Sequence, residues 1–258
     1  MSFAASSHAI NSIDKEADMS NDVVAEIQRK MDALGNTEDV KAMMRFFKTG
    51  KGQYGEGDIF RGISTPDWRR MAKEYKGISV EDAERLLQSP MHEDRSLALG
   101  IICGLFEKAD EAGRKRIFKL YLANSRRINN WDLVDCSAPQ IVGGHLLDKD
   151  RSILRKLAAS SLLWERRIAI VCTLTFIRSK QLSDTFALCE QLLFDKEDLM
   201  HKACGWMLRE AGKRDLPALE TFLQTNVRKM PRTMLRYAIE RFPKDKYKSY
   251  LAIKREIA

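Results

Sequence analysis

The chain has 258 residues, of which 44% are hydrophobic, so it is long enough and apolar enough to bury a substantial core. This composition excludes a wholly disordered chain. The net charge of +8 is uneven, because the first 40 residues hold eight acidic and three basic residues and the rest carries all the positive excess. Such a basic body attracts polyanions, although a basic soluble surface with no such partner is an equal alternative.

Several other classes of protein are disfavoured by the sequence. The five cysteines form no CxxC pair and lie in apolar stretches, which indicates reduced, buried thiols and a cytoplasmic protein. There are four histidines and no HExxH motif, so nothing in the sequence suggests a metal site. The longest uncharged apolar run, Ser96 to Phe106, is too short to span a membrane. Residues 1–20 lack the basic start of a signal peptide, and we expect them to form a disordered tail.

Helical periodicity begins directly after this tail. Val23, Ile27 and Met31 recur at four-residue spacing and predict one apolar helix face. A glycine-rich loop is predicted over residues 49–64, and Pro66 then stands in the first turn of a new helix. No stretch alternates as a half-buried strand would. The sequence therefore predicts an all-α protein.

From about residue 80 a loose repeat recurs every 31 to 37 residues. Its members start near residues 92, 129, 163, 199 and 230, and each begins polar and then becomes apolar. They read HEDRSLALGIICGL, NNWDLVDCSAPQIV, LWERRIAIVCTLTF, MHKACGWMLREAG and MPRTMLRYAIERF. A single helix pair of this size cannot bury its apolar face alone, so pairs stack. We predict a HEAT-like helical-repeat solenoid with one concave face built from equivalent helices, forming a single domain over residues 21–258.

Aromatic and basic residues recur at related positions of these segments. The tryptophans are Trp131, Trp164 and Trp206, and the basic residues are Arg166, Arg167, Lys202, Arg209, Lys213, Arg232 and Arg236. On equivalent helices of a solenoid they would form one edge, which favours a nucleic-acid groove. The alternative is that the tryptophans are core residues and the cations a solvated rim.

One acidic residue is placed where a carboxylate is costly. Trp131 and Asp135 are four residues apart, so they share a face of a mostly apolar helix. An unpaired carboxylate on such a face carries a large desolvation penalty. Asp135 therefore either pairs with an arginine of a neighbouring repeat or waits for a positively charged ligand, and the sequence leaves both possibilities open.

Four segments carry a resemblance to a known family. FRGISTPDWRRMAK, NNWDLVD, LWERRIAIV and HKACGWMLREAGK occur in an order and at a spacing that resemble the AlkD family of DNA glycosylases over roughly residues 22–250. That family is built from HEAT-like repeats and excises cationic alkylated purines, N3-methyladenine and N7-methylguanine, from duplex DNA. The resemblance implies the same fold, substrate class and place in base excision repair for this chain.

The resemblance also assigns roles to individual residues. It puts the essential aspartate at Asp135, the two groove tryptophans at Trp131 and Trp206, and the DNA-contacting arginines at Arg166 or Arg167 and at Arg209. It implies a monofunctional enzyme, since no lysine nucleophile stands at the matching site. We expect duplex DNA with alkylated bases as the partner, a monomer, and neither metal nor cofactor.

The residue types suit this chemistry. An N3- or N7-alkylated purine is cationic and leaves without further protonation, so positive charge developing on the sugar is the main barrier. A carboxylate near the sugar stabilises that charge, and indole faces attract cations by about 0.5–2 kcal/mol. Two other interpretations stay open: a non-catalytic binder of bent or branched DNA on the same scaffold, and a helical scaffold for an acidic protein partner.

Overall fold

A computed structural model describes residues 22–255, and the tail predicted over residues 1–20 lies outside them. The structure is 69% helical, and the described residues contain no strand, only an isolated bridge between Ile59 and Met91. The all-α prediction is confirmed. Between residues 22 and 255, no helix combines the length and apolarity needed to cross a bilayer.

The chain divides into two compact units at Leu105. The helices that begin in the first unit are α1 (Val23–Leu34), α2 (Thr37–Phe46), α3 (Thr65–Glu74), α4 (Val80–Leu87) and α5 (His92–Lys108), the last of which runs past the division. Ile27 and Met31 are buried on α1 as the spacing predicts, whereas the third buried residue is Val24, and the predicted Val23 is half-buried. The prediction of one domain over residues 21–258 stays a prediction.

The glycine-rich loop between α2 and α3 is tied down by one buried carboxylate. Glu93 accepts hydrogen bonds from the backbone N–H groups of Arg61, Gly62 and Ile63 at 2.9–3.2 Å. Gly62 has a φ of +81°, and a Cβ there would lie 2.0 Å from the Asn36 carbonyl oxygen. Only glycine fits this close approach, so the loop is a fixed part of the first unit.

The second unit contains helices of 6 to 15 residues. These are α6 (Glu111–Ala123), α7 (Trp131–Ala138), α8 (Ser152–Ala158), α9 (Leu163–Val171), α10 (Thr173–Arg178), α11 (Ser183–Gln191), α12 (Asp198–Gly212), α13 (Leu216–Asn226), α14 (Arg232–Ala238) and α15 (Lys244–Ala252). A 3₁₀ turn (Ser125–Arg127) precedes α7. A π-helical turn at Pro139–Gly143 and a short helix at Gly144–Leu146 continue it. Gly143 allows this continuation to pack closely, since a Cβ there would lie 2.4 Å from the Cys172 carbonyl oxygen.

The helices that the repeat predicts are neighbours in space as well as in pattern. Within the second unit α7 contacts α9, α9 contacts α12, and α12 contacts α14, while α8 packs on α9 and α13 on α12. Ile168, Leu208 and Met234 are fully buried at these contacts, each contributing roughly 1.5–3 kcal/mol through burial. Stacked helix pairs are therefore present, whereas their arrangement as a HEAT-like solenoid stays a prediction.

Candidate active site

Helix α7 presents Trp131 and Asp135 from adjacent turns. The helix begins at Trp131 because the Asn130 side chain caps it, its Oδ1 accepting from the Trp131 N–H at 2.8 Å. Asp132 then stands in the first turn, where the helix dipole favours a negative charge. Trp131 is half-buried, and the Asp135 side chain keeps 19% of its surface exposed. The side chains of Trp131 and Asp135 are thus both partly exposed to solvent and partly packed against the protein.

Asp135 forms a bidentate ion pair with Arg167 of α9. The Arg167 Nε donates to Oδ1 at 2.9 Å and Nη2 donates to Oδ2 at 2.8 Å. The third guanidinium nitrogen, Nη1, donates to the Leu199 carbonyl oxygen in the first turn of α12 at 2.9 Å. One buried guanidinium therefore connects α7, α9 and α12, and fixes the carboxylate in both position and plane.

This geometry decides between the two possibilities that the sequence leaves open for Asp135. Its partner is an arginine of the next helix pair. Arg167 is only 4% exposed, and each of its three guanidinium nitrogens donates to a protein oxygen, so phosphate binding by Arg167 stays a prediction that would require it to give up one of these partners. In this structure Arg167 positions Asp135.

The protonation of Asp135 reflects opposing influences. Burial raises the pKa of its carboxyl above the usual range, and the Arg167 guanidinium opposes that shift through its charge and its hydrogen bonds. The nearby Asp132 charge raises the pKa further. A cation that approaches the exposed edge of Asp135 would stabilise the ionised form. Positive charge on a ligand is therefore favoured at this position.

Arg166, the other half of the arginine pair, is committed to the loop before α12. Its Nε donates to Asp195 Oδ2 at 2.6 Å, and Nη2 donates to Oδ1 at 3.2 Å. Its Nη1 donates to the carbonyl oxygens of Ser160 and Ser161 at 3.1 and 3.0 Å. The side chain is 15% exposed. Phosphate binding by Arg166 would require it to break these hydrogen bonds. In this structure Arg166 holds the loop before α12 in place.

Two of the three tryptophans are half-buried, and the third is buried. Trp164 is 5% exposed and belongs to the core, so the interpretation of it as a groove residue is wrong. Trp206 is half-buried on α12. It follows Leu199 by seven residues, which places it about 10 Å further along the same side of the helix. The Leu199 carbonyl oxygen accepts a hydrogen bond from Arg167, which also binds Asp135. Trp206 is therefore linked to Asp135 through α12 and Arg167.

The other basic residues predicted on or just after α12 differ in how far their side chains are exposed. The Lys202 and Lys213 side chains are more than 40% exposed, with Asp198 and Glu210 as ion-pair partners at 2.8 and 2.7 Å. Arg209 is 18% exposed and pairs with acidic neighbours at positions 210 and 240. These residues stay candidates for phosphate contact, since exposed ion pairs exchange partners at little cost.

The two predicted arginines of α14 have different surroundings. Arg232 is half-buried, and its Nη2 donates to the Ile253 carbonyl oxygen at 2.6 Å. This bond anchors the end of the chain after α15, so Arg232 is not free to follow a DNA backbone. Arg236 is exposed. Arg232 would have to give up this bond to contact a phosphate, whereas the exposed Arg236 has no such bond to break, and both assignments stay predictions.

Sequence reasoning passed over two exposed arginines beside the site. Arg126 and Arg127 lie in the 3₁₀ turn that leads into α7, five and four residues before Trp131. They stand next to the NNWDLVD motif in the sequence, and this adjacency is the signal that could have identified them. As exposed cations at the entrance to the helix that carries Asp135, they are candidates for phosphate contact.

Comparison with known proteins places this site in a family. A family model described as DNA alkylation repair enzyme matches residues 27–242. The chain belongs to that family. A solved structure, that of a predicted DNA alkylation repair enzyme from Enterococcus faecalis, superposes with a TM-score of 0.64. It is 17% identical, and the match covers 81% of this chain and 97% of the other, which shows a shared fold. No curated protein matches the chain.

Family membership implies DNA as the partner and a role in repairing alkylation damage. Within residues 22–255, no group of three or more His, Cys, Asp or Glu side chains is arranged to hold a metal ion. What the described site can supply is a fixed carboxylate and two half-buried indoles. That combination suits stabilisation of positive charge on a bound sugar or base.

Proposed function

We propose that this protein is a monofunctional DNA glycosylase of the AlkD type, built as a HEAT-like solenoid and acting as a monomer in the cytoplasm. Its substrates are cationic alkylpurines, N3-methyladenine and N7-methylguanine, in duplex DNA. The observation that carries the proposal is the Asp135 carboxylate, held on two sides by Arg167 and partly exposed beside Trp131. The stacking of α7, α9, α12 and α14 in chain order supports the solenoid.

In the proposed reaction the bond between C1′ of the sugar and the purine nitrogen breaks first. Its electron pair goes to the purine, which is already cationic and departs as a neutral base. The positive charge that develops on the sugar faces Asp135, whose exposed edge retains lone pairs that Arg167 does not use. Water then adds to C1′ and loses its proton to the carboxylate or to solvent. No second carboxylate is needed as a general acid.

The surrounding residues have separate tasks in this proposal. Trp131 and Trp206 favour a cationic nucleotide through their indole faces, each contributing about 0.5–2 kcal/mol. The exposed cations Lys202, Lys213 and Arg236 bind phosphates and position the duplex. Arg167 keeps the plane of the Asp135 carboxylate fixed while the charge develops, so less reorganisation is needed in the transition state.

A second function is favoured by the same ion pair. Because Arg167 already balances the charge of Asp135, the site could serve a relative that binds bent or branched DNA without releasing a base. Such a protein would keep the basic surface and its salt-sensitive binding. Base release therefore distinguishes the two functions, and binding does not.

The deciding experiment is single-turnover release of 7-methylguanine from a methylated duplex by the native chain and by Asp135→Asn. We expect release to fall at least about 100-fold, as for other groups that stabilise charge in the transition state. Duplex affinity, measured by fluorescence anisotropy, should change little. Asp148→Asn, an exposed aspartate beyond the same helix, is the matched control. Equal release by the two aspartate variants would remove Asp135 from the mechanism, and absence of release by the native chain would favour the non-catalytic binder.

A further inference from the structure

A cavity of about 240 Å³ lies in the second unit where the end of α12, the start of α13 and the turn after α14 meet. We name it the C-terminal cavity. Its apolar wall includes Leu216, Leu219 and Phe242. Leu216 is 45% exposed, which is unusual for a large apolar residue and leaves an apolar surface open at the cavity. A Cβ on Gly212 would lie 2.4 Å from Leu219, so the glycine allows α12 and α13 to close the wall.

The rim of the C-terminal cavity is entirely cationic. It carries Arg209, Lys213, Arg241 and Lys246, and no acidic residue lines the cavity. Three of these cations have carboxylate partners that do not line the cavity: Glu240 for Arg209, Glu210 for Lys213 and Glu220 for Lys246. Arg241 is exposed and, among residues 22–255, has no carboxylate partner. The cavity therefore presents one guanidinium, that of Arg241, without a carboxylate partner. Its three other cations are in ion pairs whose carboxylate could be replaced by a ligand anion.

An apolar wall under a cationic rim selects a ligand with an apolar body and an attached anion. Pockets for drug-sized ligands measure about 300–1,000 Å³, so this smaller cavity suits a single ring system. The Lys246 Nζ lies 5.2 Å from the centre of the Phe242 ring, which places cation and aromatic side by side. A nucleotide matches this arrangement, with a base that packs on apolar surface and a phosphate that pairs with cations.

The position of the cavity on α12 relates it to the proposed reaction site. Trp206, Arg209 and Lys213 are spaced by three and seven residues and so share one side of the helix. The two cations lie about 5 and 10 Å along the axis from Trp206. A strand that contacts Trp206 would therefore pass the C-terminal cavity within a few nucleotides.

We propose that the C-terminal cavity holds one unstacked nucleotide of the bound DNA, with the base against Leu216 and Phe242 and the phosphate paired with Arg241 and Lys213. The proposal rests on the DNA binding in the proposed function but not on base release. Capturing a flanking nucleotide would offset the cost of distorting the duplex at the lesion. It would do so without a pocket for the damaged base itself.

The test scans a fluorescent base along a duplex that contains 7-methylguanine. 2-Aminopurine, which brightens when it leaves the base stack, replaces one nucleotide at a time on either side of the lesion. We expect a severalfold rise at one flanking position with the native chain. Leu216→Glu should abolish the rise, because it puts a carboxylate at the cavity mouth where the phosphate and base must bind. The change suits the fold, since residue 216 begins α13 and acidic residues are favoured there.

Leu34→Glu is the matched control, because it makes the same change of charge at an exposed leucine of the first unit. It should keep the brightened position. No brightened position with bound duplex, or a rise that persists in Leu216→Glu, overturns the proposal. Arg241→Gln should lower the slope of log affinity against log salt by about 0.9, and an unchanged slope overturns the phosphate contact.

The readouts separate this inference from the proposed function. Base release with no brightened position refutes the nucleotide site alone. A brightened position with no base release refutes the glycosylase chemistry and leaves the nucleotide site standing. A chain that does not bind the duplex overturns both.

Discussion

Replacing Arg167 with methionine removes the cation that faces Asp135 while keeping most of the apolar bulk of the side chain. Both residues of this ion pair are largely buried, with side-chain exposures of 5% and 19%. Removing one partner of a buried pair costs about 3–5 kcal/mol, because the other charge stays buried without compensation. The Leu199 carbonyl oxygen also loses its donor. Water can reach the exposed edge of Asp135, so we expect the lower end, about 3 kcal/mol.

The second variant in this series removes the remaining charge as well. In Asp135→Leu/Arg167→Met an apolar pair occupies a similar volume, and such replacements are often neutral or stabilising. We expect the double variant to be about 2 kcal/mol more stable than Arg167→Met, because the buried charge without a partner is gone. A stability loss under about 1 kcal/mol for Arg167→Met, or a double variant no more stable than that single one, would refute the reasoning.

Urea unfolding followed by tryptophan fluorescence measures these free energies. Trp131, Trp164 and Trp206 all lie in the second unit, so three of the four tryptophans report on the part of the chain that contains the pair. An unchanged dependence of the unfolding free energy on urea would show that the variants alter stability and not the surface exposed on unfolding.

Three further predictions follow from named contacts. First, base release should fall as pH falls through the raised pKa of Asp135, so the acidic limb of the rate profile lies above pH 3.8, and Arg167→Lys, which weakens the opposing cation, should move it to higher pH. Since the folded state binds this proton more tightly than the unfolded state, the contribution of Asp135 to stability also declines as pH rises through its folded pKa. Second, Trp164→Ala should cost about 3–5 kcal/mol in urea unfolding, whereas Trp206→Ala should leave stability nearly unchanged and slow base release about 2- to 30-fold. Third, Glu93→Gln should destabilise the first unit by about 1.5–3 kcal/mol in thermal unfolding, because its carboxylate accepts three backbone N–H groups; equal melting of variant and native chains would contradict this.

Local signals in the sequence located the helices of this protein. The repeat predicted helix starts near residues 129, 163 and 199, and the structure begins helices at Trp131, Leu163 and Asp198. The sequence also predicted the loop over residues 49–64, and glycine at residue 62 explains why the chain can turn there. These features depend on caps, periodicity and backbone freedom, all of which act within a few residues along the chain.

The partners of the site residues were decided only by the tertiary structure. Asp135 and Arg167 are 32 residues apart, and Arg166 and Asp195 are 29 apart, so each pairing depends on how one helix pair is set against the next. The sequence named Asp135 and both arginines but could not tell a phosphate-binding arginine from one that positions a carboxylate. A rotation of α9 by one residue, about 100°, would put Arg166 where Arg167 now faces Asp135.

The same physical reason governs the tryptophans. The sequence places Trp131, Trp164 and Trp206 at related positions of three repeat segments, yet Trp164 is buried while the other two are half-buried. Periodicity assigns a residue to a face of its own helix, and packing against the neighbouring helices decides which faces remain at the surface. The sequence by itself thus identified the residue types of the site. Their division into core, positioning and surface roles was decided only by the packing of the helices against one another.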